Sequence, residues 1–145
     1  MRHAISTVLI ALAVGACSPG PPTHHQQLEL DGDAIRIPSS SVDDGTVHFF
    51  TFAHDGKNID FLVRADGAGT LHAHLDACYA CYRYKRGFVV EGTHLVCVAC
   101  RLEYAIEDEV WDYIGACAPI SIHASREGGE LVIEASVLER ASRYF

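Results

Sequence analysis

Apolar and polar positions alternate with period two along most of this chain, and turn signals cut the alternation into short pieces. Leu28, Leu30, Ile35 and Ile37 carry the pattern through 28–38 around an Asp31-Gly32 turn. Val47–His54 is rich in aromatic and β-forming residues and runs directly into Asp55-Gly56. In 59–64, Ile59, Phe61 and Val63 share one face; a Gly-rich turn at 66–69 then leads into 70–75. Two further pairs, 88–90 with 94–98 and 120–124 with 131–135, flank Glu91-Gly92 and Glu127-Gly128-Gly129. Period-two segments joined by such connections predict antiparallel hairpins. Helix is expected only at 135–143, with a short helical turn in 77–86. The expected fold is mainly β, a β-rich α+β domain of short antiparallel hairpins.

The first residues follow a different pattern. Residues 4–16 carry no charge, follow Arg2 and His3, and end in the small residues Gly15 and Ala16. At 13 residues the run falls short of the ~20 needed to span a bilayer and matches the apolar core of an export signal. Val14-Gly15-Ala16-Cys17 resembles the lipobox of bacterial lipoproteins, in which the cysteine is lipidated and becomes the first mature residue. The organisation read from this is a lipoprotein signal peptide at 1–16, lipidated Cys17 with a Pro-rich tether at 17–27, and one domain at 28–145. Ser18 after the cysteine resembles the outer-membrane sorting pattern. The expected location is therefore the bacterial envelope, anchored in lipid through acylated Cys17 and facing the periplasm. His24 and His25 fall on the tether and read as solvated linker. No twin-Arg precedes the apolar run, so the chain is expected to cross unfolded, which favours an ion acquired after export.

Charge narrows the partners. The chain holds 11 basic and 19 acidic residues, a formal net charge of −8. Such a surface opposes phosphate backbones and anionic headgroups, so nucleic acid is excluded as a partner. A hydrophobic content of 49% excludes intrinsic disorder. No nucleophile–base pair, paired-carboxylate motif or glycine-rich phosphate loop supports an enzyme.

The cysteines carry the chemistry. Cys78 and Cys81 form one C-x2-C, Cys97 and Cys100 a second, with 15 residues between them. That spacing reads as a tetrahedral metal site: each tight turn aims two sulfurs at one point, and a hairpin brings the turns together in a zinc-ribbon-like knuckle. Neither pair continues into His, which excludes c-type haem attachment. Two other readings compete, structural disulfides crossing between the pairs and a thioredoxin-like thiol oxidoreductase. Cys117 is a candidate fifth ligand or a small buried apolar residue. His72 and His74 share one strand face leading to Cys78 and are candidate accessory ligands. His48 and His54 share a face with Phe50 and Phe52, and His94 lies three residues before Cys97. Without methionine after Met1, a blue-copper centre with axial Met is excluded. Thiolates suit zinc, iron or copper(I), and spacing does not separate them.

The stretch running from His48-Phe49-Phe50 through Asp76-Ala77-Cys78-Tyr79-Ala80-Cys81-Tyr82, Gly87-Phe88, Glu91-Gly92 and Val96-Cys97-Val98-Ala99-Cys100 to Gly115-Ala116-Cys117-Ala118-Pro119 resembles the FtrD-like domain of bacterial envelope proteins. The resemblance covers roughly half the chain and matches all five of these cysteines. It implies an iron-sulfur or iron centre on a periplasm-facing domain that accompanies ferrous-iron permease systems, with a redox partner or metal hand-over. The function expected is metal binding tied to iron transport or envelope electron handling. The alternative is a disulfide-stapled interaction module without metal.

Overall fold

Period-two segments fold as strands, and the turn residues between them reverse the chain. In the computed structural model, which describes residues 25–111 and 117–145, the strands are β1 (Gln26–Leu28), β2 (Ala34–Pro38), β3 (Val47–His54), β4 (Lys57–Ala65), β5 (Leu71–Cys78), β6 (Phe88–Glu91), β7 (His94–Cys97), β8 (Glu103–Ala105), β9 (Pro119–Ser121), β10 (Ser125–Glu127) and β11 (Glu130–Glu134). One helix, α1 (Ala135–Ala141), follows. The expectation of a strand-rich domain with antiparallel hairpins holds. Gly56, at φ 73, and Gly92, at φ 61, close the β3–β4 and β6–β7 hairpins in a conformation that glycine adopts without steric cost. The segment expected to be a signal peptide, with Cys17 and His24, lies outside the described residues. No helix among the described residues is long and apolar enough to cross a membrane.

A five-stranded sheet ordered β1-β3-β4-β5-β9 divides the domain, because alternate residues on its strands feed two separate cores. On one face, Phe50, Phe52, Ile59, Phe61, Val63, Ala73 and Leu75 pack against Ile35, Ile37, Leu131 and Ile133 of the β10-β11-β2 sheet and against Leu138 of α1. On the other face, Leu62 and Cys78 meet Phe88, Leu95, Cys97 and Tyr104 of the β6-β7-β8 sheet, together with Trp111 and Cys117. Four cysteine-bearing elements converge on this second core: the end of β5, the turn after it, the end of β7 and the entry to β9.

Several short strands differ from the sequence reading, among them β8, which pairs with β7 where no strand was expected. Residues 120–124 do not pair with 131–135. Pro119–Ser121 joins the large sheet beside β5, and the hairpin partner of β11 is Ser125–Glu127. Burying Ile120 against the first core outweighs the local hairpin. Gln26–Leu28, two of its three residues assigned to the tether, is a strand added in parallel to β3 with Gln26 opposite Phe50. The long connection needed for a parallel pair is supplied by β2 and the turns around it.

Candidate metal centre

Strand β5 is the scaffold of the site. Its odd residues, Ala73, Leu75 and Ala77, enter the first core, so His72, His74, Asp76 and Cys78 occupy the opposite face. Cys78 ends the strand, and a tight turn follows in which the Cys81 N–H donates to the Cys78 Sγ at 3.0 Å. The second C-x2-C is built alike. Strand β7 ends at Cys97, the Arg101 N–H closes a turn onto the Cys97 carbonyl at 2.9 Å, and backbone N–H groups of Ala99 and Cys100 point at the Cys97 sulfur. Donors aimed at sulfur favour the thiolate.

The sulfurs of Cys78, Cys81, Cys97 and Cys117 lie within 4.8 Å of one another. Cys117 Sγ is 3.4 Å from that of Cys81 and 3.3 Å from that of Cys97, and it is joined to Cys78 in a disulfide with Cα atoms 5.3 Å apart. The site thus has two covalent forms: one disulfide beside two thiols, or four cysteine sulfurs when reduced. Cys100, expected as the fourth member of the double knuckle, is exposed at the rim. Its thiol still touches those of Cys81 and Cys97 from that rim, while β9 carries Cys117 back beside Cys78 through the Cys78–Pro119 pairing.

Electrostatics at the thiols favour a cation. Burial, then the neighbouring Cys100 and Cys97, pushes the Cys81 thiol up to about 11. Burial raises the Cys97 thiol as well, against the backbone donors. Thiols held this high are poor nucleophiles at neutral pH, which argues against a thioredoxin-like oxidoreductase. A divalent ion reverses the preference, because it pairs with the thiolate charge that burial penalises. The donor set suits such an ion: a tetrahedral metal with bonds of about 2.3 Å holds its sulfurs about 3.8 Å apart. An iron–sulfur cluster would be held by the same cysteine thiolates, which are the ligand type such clusters take.

That cleft, of about 510 Å³, is lined by Cys78, Cys81 and Cys97 and by Lys85, Arg86 and Phe88. Asp76 and His25 also face it. Asp76 accepts the Phe88 N–H at 2.7 Å through one carboxylate oxygen and His25 Nε2 at 2.9 Å through the other. His25 rests edge-on against Phe49, so it is part of the folded domain and not solvated linker. Sequence reasoning passed over Asp76, although period two places it on the face of Cys78.

The histidines serve elsewhere. His72 pairs with Asp66 at 2.8 Å, and His74 is buried against Trp111 with Nδ1 3.2 Å from the Ser121 hydroxyl. Neither belongs to the four-sulfur group. Beneath them the buried Arg64 donates to the Ile106 carbonyl at 2.7 Å and covers the Trp111 ring at 3.8 Å. Burial lowers its pKa to about 10, which still leaves it charged, and that charge weighs against a cation at the histidines. His48 and His54 pair with Asp44 and with Asp55 and Glu139, and His94 contacts Thr93 beside a separate cleft.

A protein-family model described as "Membrane iron-sulfur containing protein FtrD-like" matches residues 42–145, and the chain belongs to that family. No curated protein and no solved structure matches it.

Proposed function

We propose that this FtrD-like chain is a lipid-anchored, periplasm-facing domain that holds iron, as a single ion or an iron–sulfur centre, and serves iron transport or electron handling in the bacterial envelope. The observation that carries the reading is the convergence of four cysteine sulfurs within 4.8 Å of one another, inside the segment matched by an iron–sulfur family. Lipid anchoring rests on the lipobox-like Val14-Gly15-Ala16-Cys17, and association with a permease rests on the family resemblance.

Iron bound here would supply a one-electron couple. The chain's own part is to shape and insulate the site. The turns at Cys81 and at Ala99–Cys100 aim N–H groups at sulfur, which stabilises negative charge before any ion arrives. Phe88, Leu95, Tyr104 and Trp111 exclude water from one side of the sulfurs, while the 510 Å³ cleft leaves the other side accessible. Zinc or copper(I) would fit the same thiolates by softness, so elemental analysis decides among them.

The second reading is a domain stapled by Cys78–Cys117, favoured by the bond between those two sulfurs. Protein purified from the periplasm without added metal separates the two. Iron near one or more atoms per chain, with thiols titrating only after chelation or denaturation, is the expected result, and acid-labile sulfide would specify a cluster. No metal, with three titratable thiols among Cys81, Cys97 and Cys100, would overturn the metal reading.

A further inference from the structure

The segment between the first C-x2-C and the β6–β7 hairpin has a charge opposite to that of the molecule. Arg83, Lys85 and Arg86 put three cations into four residues of a chain whose net charge is −8. All three are exposed, and among the described residues none forms an ion pair, unlike Arg36, which faces three carboxylates, or Arg101, which holds Glu91 with two bonds of 2.9 Å. Lys85 and Arg86 face the cleft that the cluster cysteines line, with Ala99 on the same wall. Two tyrosines widen the patch: Tyr79 is 59% exposed and Tyr84 69% exposed. Beside them are the accessible sulfurs, half-buried Cys81 and exposed Cys100.

We infer that this edge is a docking surface for a partner protein that presents a carboxylate-rich face, and that docking brings the partner to the sulfur edge of the centre. The charge argument is one of contrast. A generally acidic surface repels an acidic protein, and a run of three exposed cations offers it an orientation in which it is attracted, so the basic edge sets the approach as well as permitting it. The tyrosines argue for a protein over a small anion. An anion needs only the cations, whereas large, exposed amphipathic rings are the residues that supply contact area in protein interfaces. Asp60 and Asp76 also face the cleft, but Asp76 is occupied by His25 and the Phe88 N–H, which leaves the outer rim to the cations. That the partner meets a working metal centre there rests on the proposed function, whereas the charge-directed docking rests on the basic edge itself.

Poly-L-glutamate is the probe, and alkylation of Cys100 by neutral N-ethylmaleimide, read by peptide mass spectrometry on the full-length protein as purified, is the readout. At low salt, poly-L-glutamate is expected to slow Cys100 labelling several-fold, and raising the salt until the Debye length falls to a few ångströms should abolish the effect. Protection should vanish in Arg83→Gln/Lys85→Asn/Arg86→Gln, in which asparagine suits the left-handed backbone at residue 85, where φ is 50. It should persist in Arg126→Gln/Arg140→Gln, which removes exposed cations elsewhere. Absence of protection overturns the inference, as does equal protection in the triple variant. Equal protection by citrate would make the edge a small-anion site, and protection by phosphatidylglycerol vesicles but not polyglutamate would make it a lipid contact; either result also overturns it. Metal content is measured on the same samples, so a protein without metal that still shows charge-dependent protection sinks the metal reading alone.

Discussion

At the scale of single residues, the site separates five cysteines that look alike in sequence. Cys78, Cys81, Cys97 and Cys117 form the group, and Cys100 stands exposed beside it. Replacing any of the four by serine removes a soft ligand, and metal retained through purification is expected to fall to near zero. Cys100→Ser is expected to keep it, and elemental analysis of the five variants checks the order. Loss in Cys100→Ser with retention in Cys117→Ser would restore the simple double knuckle. The C-x2-C pairs were legible because their geometry is local. The choice between Cys100 and Cys117 was not, because it depends on β9 docking against β5, a contact 39 residues apart in sequence at Cys78 and Cys117. The histidines show the same limit. Alternation put His72 and His74 on the correct face, but the Asp66 and Trp111 that claim them are set by tertiary packing. His74 offers a pH test. Burial first, then the Arg64 cation and His72, holds its pKa down to about 3, against 6.5 when free. Between those values the unfolded chain binds a proton that the folded chain refuses, so stability is lost as pH falls through that window. His74→Leu is expected to reduce the slope of unfolding free energy against pH between 5 and 6 by about one proton, measured from urea midpoints. An unchanged slope would mean that His74 is protonated in the folded protein.

At the scale of elements, strands whose pattern faces a continuous core were the legible ones. Val47–His54 is a strand over that whole stretch because both its faces are fixed, Phe50 and Phe52 toward one core and Phe49 toward the other. Strands of three residues were not legible: β1, β8, β9 and β10 have too few positions to show a period and exist through their neighbours. The join between β5 and the β6–β7 hairpin is the most demanding element. Gly87 has φ 59, and a Cβ there would sit 2.6 Å from both carboxylate oxygens of Asp76. That carboxylate cannot swing aside freely, since it holds the Phe88 N–H and His25. Gly87→Ala therefore meets backbone strain and a clash together, and it is expected to destabilise the domain by at least about 2 kcal/mol. It should also cost metal retention, because the hairpin that carries Cys97 is displaced. Denaturant midpoints with metal analysis test this, and a midpoint within about 0.5 kcal/mol of the parent would show that the join is pliant.

At the scale of the whole molecule, the two cores are not equivalent. The first, between the large sheet and the β10-β11-β2 sheet with α1, is aliphatic and aromatic throughout and needs no ligand to be complete. The second contains Cys78, Cys97 and Cys117 among its buried residues, so part of what holds the β6-β7-β8 sheet in place is whatever joins the sulfurs. With metal removed and thiols kept reduced, that core retains Leu62, Phe88, Leu95, Tyr104 and Trp111 but loses its cross-link, and the raised Cys81 and Cys97 pKa values leave neutral thiols that do not attract one another. A ligand bound only by the folded state stabilises what it ties together, so its removal should be felt unevenly. Hydrogen exchange is expected to accelerate across β6, β7 and β8 after chelation under reducing conditions. Amides of β3, β4 and β11 that face the first core should keep their protection. Reoxidation that joins Cys78 to Cys117 should restore only part of the loss, because that bond ties β5 to the entry of β9 and leaves Cys97, at the end of β7, without a link. Uniform acceleration through all three sheets would mean that the cores unfold as one unit and that the centre supports the entire domain; no acceleration would mean that apolar packing alone holds the β6-β7-β8 sheet against the large one.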